Sequence, residues 1–216
     1  IKLAHTGKNE ILITSPVLEK YLKEKYPNYK YIRSILQSEN EFYNVDNYDM
    51  SVLKRQKNNN WSYLETIPLE NRNKIELLCN ETCIDNCPRA FSHYKDMGYA
   101  QLHYGKNQIL GDIYCSYREN TVDTFKKLQD GQINNNFISP EDITNKYFPL
   151  GYCNFKLSGR GDLAWIVEQV IYYLVKEDYQ QDVRVYIWKQ YFKNIDFMYF
   201  IFQKFVNLPL NFIKEE

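Results

Sequence analysis

Two cysteines, Cys83 and Cys87, stand just before Pro88 in the stretch "NETCIDNCPRAFSHYK" (Asn80 to Lys95), with Arg89, His93 and Tyr94 close behind. Four chemistries suit that composition: a disulfide, a metal site, a catalytic thiol, or a turn holding two sulfurs. Thiolates bind zinc and iron-sulfur clusters, and four of them complete either site. Cys115 and Cys153 are the remaining candidates, whereas Cys79, inside "IELLC", reads as a small core hydrophobe. Cys153 reads equally as a core thiol or a ligand.

Zinc modules use tight ligand pairs at both ends, and here only Cys83-x3-Cys87 is tight. A cluster at the mouth of a barrel accepts the wider spacing, because ligands on several loops meet in space. A metal is therefore expected at the thiols, an iron-sulfur cluster ahead of zinc. A dyad of Cys83 or Cys87 with His93 as base ranks below it. Arg89 and Arg160 are expected to hold an anionic group of the substrate and His93 to supply a proton. The turn "SGRGD" (Ser158 to Asp162) offers Arg160 and backbone N–H groups to such an anion, though it lacks the full dinucleotide fingerprint.

These residues need a scaffold. "EILITSP" reads as a strand that "VLEKYLKEKY" follows as a helix, and "YKYIRSIL", "YDMSVLK" and "KIELLC" read as further strands. "NNNWSYLETIP" carries a helix that Pro68 ends. Helical or polar segments between most strands favour parallel βα units, since parallel pairing needs a crossover. Cys83 and Cys87 then lie past a strand's C-terminal end, where α/β folds bind ligands. Residues 96–136 show weak periodicity and are expected to be an excursion carrying Cys115. "ISPEDI" restarts order with a Ser-x-x-Asp cap, and "YCNFKLSGRGDLAWIVEQVIYYLVK" gives a strand from about Tyr152 to Leu157, a turn and a helix. Residues 182–216 hold more aromatics than one helix face hides, so helical cover for the barrel is expected, with a homo- or hetero-oligomer surface as the alternative.

The 216 residues suit one ordinary domain, and 27 basic against 27 acidic residues give no field favouring a polyanion or an anionic membrane. No apolar run approaches the ~20 residues of a membrane span. The 20 Tyr and 12 Phe read first as codon bias. Five cysteines, an odd number, and no charged-then-apolar leader point to a cytoplasmic chain. The opening at Ile1, without Met, is expected to mark a fragment or a processed chain.

"FKLSGR" (Phe155 to Arg160), "IELLCNETCIDNCPRAFSHY" and "ILITSPVLEKYLKEKYPNYKYIRSI" together resemble the U-thirty-two (collagenase-like) peptidase family, above all its small clostridial U-thirty-two-like proteins. The family's later motif has an acidic residue where this chain has Ser158. The resemblance spans about residues 10–178 and implies a TIM-type (β/α) barrel, here partial or N-terminally truncated, over residues 1–181, with 182–216 packing on it. It also implies a 4Fe-4S cluster, as in several members, supporting oxygen-independent hydroxylation of a small or RNA-borne aromatic. Cys83 and Cys87 match its motif loop, and Cys115 and Cys153 match by order alone. Two alternatives stand beside it: a cysteine- or metal-dependent peptidase or hydrolase, and a non-catalytic partner-binding subunit. The chain shows no Ser-His-Asp or His-Glu-x-x-His arrangement.

Overall fold

The computed structural model describes residues 5–37, 42–83, 87–102, 122–132, 135–159 and 163–192. Cys115, Arg160 and the C-terminal stretch 193–216 lie outside them. The chain divides into two compact units, 1–166 and 167–216.

The first unit is built on a five-stranded sheet of β1 (Glu10–Ile13), β2 (Lys30–Arg33), β3 (Met50–Val52), β4 (Ile75–Leu78) and β5 (Asn154–Lys156). All neighbouring pairs are parallel, and the spatial order equals the chain order. The connections carry α1 (Pro16–Lys25), α2 (Trp61–Thr66), α3 (Leu69–Arg72), α4 (Ala90–Leu102), α5 (Val122–Gln129) and α6 (Pro140–Asp142), which runs on into a π-helical turn (Ile143–Tyr147). The expected parallel α/β architecture is thus observed. Consecutive strands joined by right-handed crossovers place their connections on one face of a sheet.

The register shows which face is covered. Ile13, Arg33, Ser51 and Ile75 lie side by side across four strands, and all are buried. Leu77 and Phe155 continue that face. Leu22 of α1 packs there with Ile13, Tyr29 and Tyr31, which is the burial that makes a ten-residue helix worth forming. Ser15 caps α1 by accepting from Leu18 N, with Pro16 in the first turn. The opposite face carries Leu12, Ile32, Met50 and Val52, then a Lys156–Glu76 ion pair at 3.1 Å. It is less closed, with Leu12 49% exposed.

The tyrosines are structural rather than incidental. Tyr147 and Tyr152 are buried, and their hydroxyls donate to Asn58 O at 2.7 Å and Leu64 O at 2.8 Å. A buried phenol needs such an acceptor. Residues 90–102, partly inside the expected excursion, form α4 through Gly98. The Ser139 cap is present, its Oγ accepting from Asp142 N at 3.0 Å.

The second unit comprises the rest of α7 (Leu163–Leu174), a 3-10 turn (Glu177–Tyr179) and α8 (Gln180–Phe192). Within it Arg184 grips Glu168 by two bonds of 2.7 Å. Among the described residues no helix is long and apolar enough to cross a membrane.

Candidate functional site at the C-terminal edge of the sheet

A parallel sheet sends every strand's C-terminal end to one edge, and there the side chains are unusually polar for their burial. Arg33, Ser34, Arg55, Asn58, Asn80 and Glu81 all lie at or just past these ends and are buried. Buried polar groups require partners, and most have them. Asn58 Nδ2 donates to Leu78 O at 2.8 Å and to Asn136 O at 3.4 Å, which extends the hydrogen bonding of β4 to residues 135–138. Ile138 N then donates to Cys79 O at 2.9 Å. Asn80 is tied to Ser158 by two bonds. Glu81 Oε1 accepts from Cys83 N at 2.9 Å, shaping the start of the cysteine loop.

Besides Asn58 Oδ1, which is buried without a hydrogen-bond partner, Arg55 is incompletely satisfied. It is 6% exposed, its buried Nε has no hydrogen-bond partner, and it forms no ion pair among the described residues. A guanidinium is charged at every physiological pH, so it cannot escape the cost of burial by losing a proton.

Arg55 opens a 3-10 turn (Arg55–Lys57), and the residues after it line a cavity of about 460 Å³ formed by Gln56, Asn59, Asn60, Trp61, Ser62, Asn135 and Asn136. The wall is fixed by Asn59, whose Nδ2 donates to Phe137 O at 2.9 Å and to Asn135 O, and whose Oδ1, 2.5 Å from the Tyr147 hydroxyl, shares that hydroxyl's single proton with Asn58 O. Burial drives the Tyr147 phenol well above its ordinary range, so it remains a donor.

The cysteines divide between the two edges. Cys83 and Cys87 are half-buried thiols between β4 and α4, and Arg89 and His93 follow on the same stretch. Arg89 O accepts from His93 N at 2.7 Å, and the His93 ring stacks on Tyr94 at 6.2 Å. Cys79 is fully buried, as a core thiol should be, and burial pushes it up to about 12. Cys153 is exposed and immediately precedes β5, whose Asn154 pairs with Glu76. It is therefore level with Ile75, at the N-terminal edge. From Ile75 to Cys79 the strand rises ~13 Å at ~3.3 Å per residue, and the loop of Cys83 starts only beyond that. Thiolates of one site must approach to metal–sulfur distances of about 2.3 Å. Cys153 thus lies at the opposite edge of the sheet from Cys83 and Cys87, and Cys115 lies outside the described residues. Among the described residues no group of three or more His, Cys, Asp or Glu is arranged to hold a metal ion.

Arg55 and the Asn58–Ser62 segment escaped the sequence reading. The signal was present, a run of polar and amide residues, "KRQKNNNWS", directly after a strand, but asparagine runs read first as loops.

The fold and this edge define an α/β protein with a parallel sheet and a polar C-terminal rim. No family model, curated protein or solved structure matches the chain.

Proposed function

We propose that the five strands are a contiguous arc of a TIM-type (β/α) barrel, and that the chain is a U-thirty-two-type enzyme module binding a small anionic substrate at the C-terminal rim. Consecutive strand order supports the arc, because doubly wound sheets reverse their order at a switch point. The residues "FKLSG" on and after β5 and the cysteine loop after β4 support the family. The observation that carries the substrate class is Arg55, a buried guanidinium whose Nε has no hydrogen-bond partner and that forms no ion pair among the described residues, at the edge where α/β proteins bind ligands.

The test separates a functional arginine from a structural one. Replacing a partnered buried arginine costs about 3–5 kcal/mol. Arg55→Met should instead leave the ligand-free protein equally stable or more stable, since it removes an uncompensated charge. Wild type should gain thermal stability in sodium phosphate over sodium chloride at equal ionic strength, as a ligand of the native state requires, and Arg55→Met should not. Strong destabilisation by Arg55→Met, or an equal phosphate response in both proteins, would overturn the reading.

A hydrolase reading rests on Cys83, a half-buried thiol past a strand end whose backbone N–H Glu81 holds in place. It requires peptide hydrolysis by wild type that Cys83→Ser abolishes, and wild type inert towards peptides would exclude it.

A further inference from the structure

β1 is the outermost strand of the sheet, so one of its edges has no strand beside it among the described residues. Its bonds to β2 identify the groups on that edge. Asn9 O accepts from Lys30 N and Ile13 O from Ser34 N, both at 3.1 Å, so the odd-numbered residues turn their backbone towards β2. Glu10 and Leu12 therefore turn their N–H and C=O groups outwards, and both residues are exposed. Such an edge is a template for another strand. β1 has little to blunt it, with no proline, no bulge in its register and Glu10 as its one charge.

The helix above this edge is apolar on the matching side. Leu22 fixes the face of α1 that meets the sheet, packing with Ile13 of β1 and Tyr31 of β2. Glu19 and Lys23 occupy the flank above β2. There Glu19 accepts from Gln37 Nε2 and the Tyr48 hydroxyl, while Lys23 stands over the Tyr31 ring and donates to Asn47 O. With about 100° between successive residues of a helix, Val17, Leu18 and Tyr21 fall on the other flank, above the open edge. They are 82%, 49% and 49% exposed.

We infer that this edge and flank pair with the same edge and flank of a second copy of the chain. A two-fold axis normal to the sheet through Ile11 sets the two β1 strands antiparallel and keeps both α1 helices on one face. Glu10 then lies opposite Leu12 of the partner subunit. The two pairs so related exchange four backbone bonds, which uses every outward N–H and C=O of both strands. An α1 seated over β1 and β2 stands about 5 Å from the seam, so the paired helices lie about 10 Å apart, an ordinary packing distance, with Val17, Leu18 and Tyr21 between them. The seam and the facing flanks remove on the order of 1,000 Å² from water, the lower limit of a specific interface, so the association is weak. It involves neither Arg55 nor the cysteine loop and is independent of the function proposed above.

Sedimentation equilibrium of the whole chain from about 1 to about 200 μM should show a monomer–dimer equilibrium. Leu12→Pro removes an outward N–H without taking a bond from the β1–β2 ladder. Tyr21→Glu, at an exposed position of α1, sets a charge in the seam and tests the flank even where the proline variant fails to fold. Each should weaken dimerisation ten-fold or more, with the helical circular dichroism signal of Tyr21→Glu unchanged. In wild type, hydrogen exchange of the Glu10 and Leu12 amides should slow as protein concentration rises. A chain that stays monomeric would overturn the inference, and so would a dimer that Tyr21→Glu leaves intact or one in which those two amides exchange as fast as in the monomer.

Discussion

Asn80 and Ser158 exchange two hydrogen bonds across the C-terminal edge of the sheet: Ser158 N donates to Asn80 Oδ1 at 2.7 Å, and Asn80 Nδ2 donates to Ser158 O at 3.2 Å. The last rung below them runs from Cys79 N to Lys156 O at 2.9 Å. The Asn80 side chain therefore acts as one more rung between β4 and β5 after their backbones diverge. Ser158 contributes its backbone, not its side chain, to this rung.

Asn80→Ala removes both bonds and leaves a hole under the cysteine loop. Its expected cost is about 2 kcal/mol, the typical penalty for stranding paired polar groups. Asn80→Asp keeps the acceptor but turns a carboxylate oxygen towards Ser158 O, so it should be at least as damaging at neutral pH. Urea midpoints measure both, and a loss below about 0.5 kcal/mol for Asn80→Ala would show that the extra rung contributes little.

The thiols give a second prediction. Cys153 is exposed and should react promptly with an aromatic disulfide reagent in the native protein. Cys79, buried and pushed up to about 12, should react only on unfolding. Iron, sulfide and zinc contents measured after anaerobic purification should be the same in wild type and Cys153→Ser. A metal content that falls in Cys153→Ser as it does in Cys83→Ser would contradict the placement of Cys153 at the N-terminal edge.

The parallel order of the strands was legible because each strand is a short β-rich run followed by polar or helical residues. Ser139 was legible as a cap because a capping side chain acts within three residues, and local spacing displays it. Cys153 was not, since its edge depends on where β5 begins and how it registers on β4, which no local pattern encodes. The helix through Gly98 was hidden by a glycine in a stretch of weak periodicity. The role of Tyr147 and Tyr152 was hidden by composition. Twenty tyrosines look like background until two hydroxyls are found donating to buried carbonyls 88 and 89 residues distant in sequence.

A cluster around Glu19 makes stability pH-dependent in both directions. Burial works against the Glu19 carboxylate, but Lys23 at 2.8 Å, the Tyr48 hydroxyl at 2.5 Å and Gln37 Nε2 at 2.6 Å outweigh it and hold the carboxyl below its usual value. That contribution is present above the ordinary carboxylate range and is lost as pH falls through the lowered folded value. Tyr48 is the converse: burial, then the Glu19 acceptor, push it from 10.0 up to about 12. Its contribution is complete below 10.0 and is lost as pH rises towards about 12. Tyr48→Phe should cost about 2 kcal/mol at pH 7, as expected for a bond to a charged group. The gap to wild type should narrow above pH 10 and again in acid. A gap that stays constant across both ranges would exclude the linkage.

Glycine substitutions should differ in sign according to backbone rather than space alone. Gly151 has φ +88 and closes the turn after the π-helical segment, where Tyr152 N reaches back to Tyr147 O at 3.1 Å. That bond fits a Schellman closure, with glycine in the left-handed position. A Cβ at 151 would also lie 2.9 Å from Leu69 Cδ1, the tip of a side chain 66% exposed and free to swing away. The backbone term therefore dominates, and Gly151→Ala should cost about 1–2 kcal/mol. Gly151→Asn should cost less, because asparagine tolerates that conformation. Gly98 lies inside α4 with nothing within 4 Å of an added Cβ. There the preference of a helix for alanine over glycine, about 1 kcal/mol, acts alone, and Gly98→Ala should raise the melting temperature. Equal destabilisation by the two alanine substitutions would refute either the left-handed turn at Gly151 or the helix through Gly98, and circular dichroism of each variant would tell which.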